Sequence, residues 1–391
     1  MMDDLELVYE DVDPGRHRRR RKKGRSGLAM ILVVVILGAL GGGAWYGANK
    51  LGDFFAVPDY ETAGSSDTSV KVKKGESIAD IGNNLMHADV VKSAKAFVNA
   101  AKENPDSTKI QPGTYKVRKQ MRAKDALAML LDLKNKITTK VTLREGLTIG
   151  GTLDALSKAT GIPVADYKAL IADPVALGVP DFWFKRNDGK PVEKSIEGFL
   201  FPDTYEFEPG FTAESVLKAI IFRFNQEMEA LDFLNKVQNE RKISPFEALV
   251  VASLAQVESG NVDDLGKVAR VAYNRAYKKN MPLQFDVTAN YWLEKQGKPT
   301  KSSSDLTAAE LNDTKNPYNT GASSKGLPAG PISNPGSAAL KGAMDPPPGD
   351  WVFFVAVDKE GHSAFAVTDD EHRANIRKAC QAGVLSGDAC K

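Results

Sequence analysis

Residues 27–47, GLAMILVVVILGALGGGAWYG, form a run of 21 residues without a charged side chain, and no other stretch constrains the chain as strongly. At about 1.5 Å per residue, a helix of that length crosses a hydrocarbon layer of roughly 30 Å. The run therefore reads as a membrane-spanning helix. The 26 residues before it carry 8 basic side chains, all between positions 16 and 25. Basic clusters stay on the cytoplasmic side, which places everything after about residue 48 on the far side, with a single pass and the N-terminus in the cytoplasm. The alternative is a cleaved signal peptide. The length of the apolar run, the unusual leader and the absence of a clean A-x-A cleavage site argue against it. Trp45 and Tyr46 stand where an interfacial aromatic pair is expected.

The chain is 391 residues long with a formal charge of +2. Once the N-terminal basic cluster and its 6 acidic neighbours are set aside, basic and acidic side chains are equal in number. A body with no excess of basic charge does not suggest a nucleic-acid partner. Its 42% hydrophobic and 26% charged composition is that of a globular protein, and the residues beyond the span suffice for two or three domains. Residues 49–68 mix Gly, Ser, Asp and Pro and read as a linker.

After the linker one pattern occurs twice. Val72-Lys-Lys-Gly75-Glu-Ser77-Ile78 and Leu143-Arg-Glu-Gly146-Leu-Thr148-Ile149 are offset by 71 residues. Each is a short β-like run, a glycine turn, and a Ser or Thr placed as the N-cap of an amphipathic helix. Between the copies lie a helical run, Ala94 to Glu103, and a strand-like run, Gly113 to Val117, so the first copy opens a small βααβ module. Residues 176–215 are loop-rich and aromatic, with Trp183, Phe199, Phe201 and Tyr205. They either pack a loop or floor a carbohydrate groove, since aromatic faces cover sugar C–H surfaces.

The segment with most chemical content begins at Ser244-Pro245-Phe246-Glu247, a capping box with proline at the first helical position. The helix runs to Glu258 and ends at Ser259-Gly260, with Val251, Leu254 and Ala255 on the stripe that leads to Glu258. A carboxylate there meets partial burial and the negative end of the helix dipole. Both disfavour its charged form and raise its pKa, as a general acid at neutral pH requires. A solvated Glu at a helix end is the plainer reading. Downstream, Leu283-Gln-Phe-Asp286, Asn316-Pro-Tyr-Asn-Thr320 and the Gly- and Pro-rich 326–336 imply long fixed loops, where binding groups tend to lie. A strand over 351–357 and a turn at 358–361 follow.

No nucleotide-binding or hydrolase motif occurs, and His17, His87, His362 and His372 have no metal-ligand spacing, so neither cofactor nor metal is expected. Cys380 and Cys390 are placed to close a short disulfide loop outside the membrane.

Residues from about 140 to 378, and more loosely from 70, resemble the YceG-like family of endolytic murein transglycosylases. The resemblance rests on Glu197-Gly-Phe-Leu-Phe-Pro-Asp-Thr-Tyr205, Ala252-Ser-Leu-Ala-Gln-Val-Glu258, Tyr273-Asn-Arg275 with Met281-Pro-Leu-Gln-Phe-Asp286, Pro317-Tyr-Asn-Thr320, Gly326 to Gly336, and Gly361-His362 with Glu371-His372. Departures are Gln256 where many members have Glu, Val287 where Pro is usual, and Asn316 where Ser is common. The resemblance implies an α+β protein made of a cytoplasmic basic tail (1–26), a single N-terminal transmembrane helix (27–48), a linker (49–68), a LysM-like module (69–137), a larger catalytic domain (138–379) and a short tail (380–391). It implies Glu258 as the catalytic residue, with Gln284, Asp286, Tyr318 and Asn319 as candidates for holding the glycan. It also implies a peptidoglycan glycan strand as substrate, strand termination as the outcome, and the wall-synthesis machinery as partner. The basic N-terminal extension looks like that of actinobacterial members.

Two other classes stay open: a non-catalytic, membrane-anchored wall-binding scaffold, and a conventional glycosidase that uses Asp286 or Glu247 as a second carboxylate. The topology is tested directly. A reporter fused at residue 10 should read cytoplasmic and one at residue 391 extracytoplasmic, whereas a mature chain starting near residue 48 would identify a signal peptide.

Overall fold

The computed structural model describes residues 33–43, 57–386 and Cys390. Of the expected membrane span, residues 33–43 are helical with every side chain exposed, and the rest of 27–48 lies outside the described residues, as does the basic tail. Among the described residues no helix is long and apolar enough to cross a membrane.

By contact the described residues divide into two compact units, one falling within 1–68, 75–110 and 117–131, the other within 69–74, 111–116 and 132–391. The first unit contains helices α1 (Ile78–His87), α2 (Ala94–Glu103) and α3 (Ala123–Leu131) around buried Ile81, Leu85, Phe97 and Leu127. Strands β1 (Asp67–Val72) and β2 (Gly113–Arg118) pair with each other, so the expected strand–helix–helix–strand order is present. Most of both strands groups with the second unit. There the β2 edge continues its pairing, Tyr115 bridging to Lys136 and the Ile137 N–H donating to the Thr114 carbonyl at 2.7 Å.

The second copy of the sequence pattern opens the larger unit in the same way. Strand β3 (Thr139–Thr142) leads to α4 (Ile149–Thr160) and α5 (Val164–Leu170), and β4 (Thr204–Phe207) pairs antiparallel with β3, Val141 opposite Tyr205. Both expected caps form: Ser77 accepts from Asp80 N–H and Thr148 from Gly151 N–H, each at 3.2 Å. The glycine of each turn has positive φ, +83° at Gly75 and +77° at Gly146, a conformation that other residues rarely adopt.

Helix α6 (Ala213–Ala230) follows, then α7 (Pro245–Glu258), α8 (Leu265–Tyr273), α9 (Val287–Lys295), α10 (Ser337–Met344), the hairpin β5 (Phe353–Ala356)–β6 (Ser363–Ala366), with Phe354 opposite Phe365, and α11 (Asp369–Gln381). Strand β5 is shorter than the expected 351–357 run, and just beyond its two ends the Val352 N–H donates to the Ala366 carbonyl at 3.0 Å and the Val357 N–H to the His362 carbonyl at 2.9 Å. Helix α7 departs from the amphipathic expectation. Every residue from Pro245 to Ala255 is buried, so this is a core helix packed by α8, α9 and α10 rather than a helix with one apolar stripe. The aromatic stretch 176–215 is likewise mostly core: Trp183, Phe199 and Phe201 are buried, Trp183 and Phe199 packing on each other and on Phe224 and the Arg223 guanidinium lying over Phe201. A sugar cannot reach those rings.

Glu247 begins α7 with the expected capping box, and tertiary packing adds to it. Its Oε2 accepts from the Ser244 and Asn187 backbone N–H groups at 2.8 and 3.1 Å, and its Oε1 accepts from the Tyr277 hydroxyl at 2.9 Å. The side chain is fully buried. Glu247→Ala strands three donors rather than breaking one surface cap, so denaturant unfolding should show a loss of about 3 kcal/mol or more. A loss near 1 kcal/mol, the ordinary capping value, would contradict this.

Candidate active site

Glu258 is the last residue of α7, where the helix leaves the core. Its side chain is half-buried, but Oε1 is sealed from solvent and has no hydrogen-bond partner. Burial, reinforced by the negative charge of Asp286, pushes its pKa up to about 8, against the opposing pull of the Val287 backbone amide and the Arg275 cation. Glu258 therefore holds its proton at neutral pH. Asp286 itself, at the N-cap of α9, is raised mainly by burial, with Ser303 pulling the other way.

Three segments converge around this carboxyl. The loop after α7 meets the tip of the β5–β6 hairpin backbone to backbone: a Cβ on Gly361 (φ +84°) would stand 2.7 Å from the Gly260 carbonyl oxygen. The Ser363 N–H donates to buried Asp264 at 2.6 Å and secures the same contact. The 283–286 loop is tied to the 316–321 loop through Thr320, whose carbonyl accepts from Gln284 N–H at 2.7 Å and whose hydroxyl accepts from Phe285 N–H at 3.0 Å. Gln284 adopts φ +56°, and its side chain is exposed. Gln284, Asp286, Asn316 and Asn319 line one narrow crevice.

The structure thus brings together Glu258 and Asp286, and places Gln284 and Asn319 in the crevice beside Asp286. Asn319 is buried with its amide engaged in the loop, donating to the Asp313 carbonyl at 2.8 Å and accepting from Gly321 N–H at 2.6 Å. Tyr318 is buried, edge-on to Tyr291 at 4.8 Å, with Lys295 Nζ 3.4 Å from its hydroxyl. Glu247 is far from this site. It stands eleven positions before Glu258 on α7, about 16 Å along the axis, so it cannot face the same bond.

One carboxyl that spacing did not single out is Glu197. It is buried, accepts at Oε2 from Ile149 N–H (3.0 Å) and the Tyr291 hydroxyl (2.9 Å), and leaves Oε1 sealed without a partner. Burial raises its pKa to about 7. The signal was its position directly before Gly-Phe-Leu-Phe, where a carboxylate has no solvent.

Residues 70–378 match the model of the YceG-like family. The chain belongs to that family. It is similar to a protein named endolytic murein transglycosylase of Bacillus subtilis (strain 168), 29% identical over 339 residues, which is 85% of this chain and 89% of the relative. A protein of the same name from Streptococcus pneumoniae serotype 2 is 26% identical over 367 residues, 89% of this chain and 64% of that longer relative. A 2.6 Å crystal structure of a YceG-like protein from Listeria monocytogenes superposes with a TM-score of 0.52 at 26% identity, covering 79% of this chain and 98% of that one.

In this YceG-like protein Glu258 should cost stability as pH rises. Because its folded pKa lies above the ordinary 4.5, the folded state keeps the proton after the unfolded chain has lost it. Its contribution is therefore fully present below about 4.5 and is lost as pH rises to about 8. Glu258→Gln removes that dependence. The difference in Tm between variant and wild type should move in favour of the variant from pH 5 to pH 8.5, and a difference constant with pH would show that Glu258 titrates normally.

Proposed function

We propose that this chain is an endolytic lytic transglycosylase that cleaves the bond between N-acetylmuramic acid and N-acetylglucosamine in peptidoglycan glycan strands. One observation carries the reading: a carboxyl at the end of a core helix, protonated at neutral pH, with a sealed oxygen that has no protein partner. Glu258 gives its proton to the glycosidic oxygen as the bond to the muramoyl C1 breaks, and the N-acetylglucosamine side leaves as an alcohol. Positive charge develops at C1 and the ring oxygen. The muramoyl C6 hydroxyl then attacks C1 and returns its proton to the Glu258 carboxylate. The product carries a 1,6-anhydro ring and no water is consumed. One residue serves as acid and then as base, so a second carboxylate on the opposite face is not needed. Asp286, with Gln284 beside it in the crevice, is suited to hold the sugar and face the developing positive charge. Asn319 lines the same crevice, whereas the Tyr318 ring, buried against Tyr291, does not reach it.

The family resemblance and the strand–helix–helix–strand order support a LysM-like role in gripping glycan for residues 69–137. A single span at 27–48, N-terminus in the cytoplasm, would hold the enzyme where new strands emerge, beside the wall-synthesis machinery. The uncharged 21-residue run after the basic cluster supports this placement. So does the Cys380–Cys390 disulfide, a bond that persists in oxidising compartments.

Mass spectrometry of peptidoglycan digested by the full-length protein should find non-reducing anhydromuramoyl ends, and Glu258→Gln should lower their release by ~100-fold or more. Reducing ends would instead identify a hydrolase with Asp286 as its second carboxylate, and no release at all would favour a scaffold.

A further inference from the structure

Arg275 lies in the wide turn Asn274–Lys278 that continues α8, and only 7% of it is exposed. Moving a guanidinium out of water is costly unless charge or hydrogen bonds offset it. Among the described residues no carboxylate lies within salt-bridge distance of it. Its donors go to carbonyl-type oxygens on two of the segments that frame the site. Nε donates to Val352 O at 2.5 Å, just ahead of β5, and Nη1 donates to Leu283 O at 2.6 Å, with Pro282 O and Gln284 Oε1 each at 3.3 Å. The guanidinium also lies over the Phe353 ring, 5.3 Å from its centroid, and that ring stacks on His372 at 4.9 Å. The cation is thus clamped between the hairpin and the loop that carries Gln284 and Asp286, and it acts on Glu258 through space.

We propose that Arg275 is a positioning residue for the acid step: it fixes the 282–284 segment against the hairpin and provides a buried cation toward which the Glu258 carboxylate, left after proton transfer, is stabilised. The inference rests on Glu258 being the acid. A planar fork suits the first task, because several carbonyl oxygens must be held at set angles, and lysine would supply charge without that geometry. The second task matters because Asp286 opposes the same ionisation from the N-cap of α9, while the Val287 amide assists it. His372, facing Arg275 from α11, has its pKa lowered by burial and by that cation, so it adds no second charge at neutral pH.

The test compares Arg275→Gln and Arg275→Lys in the full-length protein, with kcat/KM for anhydro-end formation measured against pH and folding checked by near-UV circular dichroism. Activity in the wild type falls as Glu258 loses its proton. Removing the cation should move that alkaline limb upward by ~0.5–1 pH unit in Arg275→Gln and lower kcat/KM by roughly 10- to 100-fold. Arg275→Lys should leave the limb where the wild type has it, while still losing kcat/KM because the fork is gone. A folded Arg275→Gln whose limb coincides with the wild type overturns the proposal. If that variant does not fold, Arg275→Lys decides alone: a displaced limb, or an unchanged kcat/KM, overturns it. Glu258→Gln measured alongside separates the two readings, since inactivity there with no limb shift in Arg275→Gln rejects the role of Arg275 only.

Discussion

Burial of α7 on every side is the constraint from which the rest of the larger unit follows. A helix of Phe, Leu, Val and Ala with no polar face must be surrounded, and α8, α9 and α10 do so. Each of its two ends carries a carboxylate, and the two carboxylates have opposite fates. Glu247 at the N-terminus is saturated by two backbone donors and a tyrosine. Glu258 at the C-terminus faces carbonyl ends, Asp286 and an empty hydrogen-bonding position. The first secures the helix. The second stores a proton that the fold does not use.

The irregular segments around Glu258 are held by side chains that replace regular backbone pairing. Asn334 is the clearest case: its Oδ1 accepts from Gly198 and Leu200 N–H, and its Nδ2 donates to Leu147 O and Thr152 Oγ1. One amide thus joins the Gly- and Pro-rich loop, the aromatic segment and the start of α4. Thr320 does the same between the 283–286 and 316–321 loops. Such bonds, made in a water-poor setting, are costly to break, so the surroundings of Glu258 are held in place although little of them is helix or strand.

The sequence is legible where the physics is local. Ser77, Thr148 and Ser244 cap the helices expected of them, Ala94 to Glu103 is helical over the full expected length, and Gly75 and Gly146 turn alike. The helix ending in Glu258 was legible from its capping box. Its burial was not, because a run of Val, Leu and Ala looks the same whether one side or all sides are covered. The aromatic stretch left two alternatives open for a related reason: composition says that rings will pack, and only neighbours such as Phe224, on α6, say against what. Glu197 and Arg275 stood inside the motifs but had no spacing that marked them, since their partners lie as far along the chain as Tyr291 and Val352.

The sequence by itself determined the uncharged run of residues 27–47, the caps and turns, the duplicated strand–turn–helix pattern, and the kind of chemistry that a lone carboxylate at a helix end can perform. Each depends on residues a few positions apart, which the chain brings together whatever the fold. Tertiary structure alone decided which carboxylate is starved of partners. It set Asp286 beside Glu258, moved Glu247 out of reach and aimed a buried arginine at the loop between them. Proton affinity is a property of surroundings, and surroundings are made by segments that only folding brings into contact.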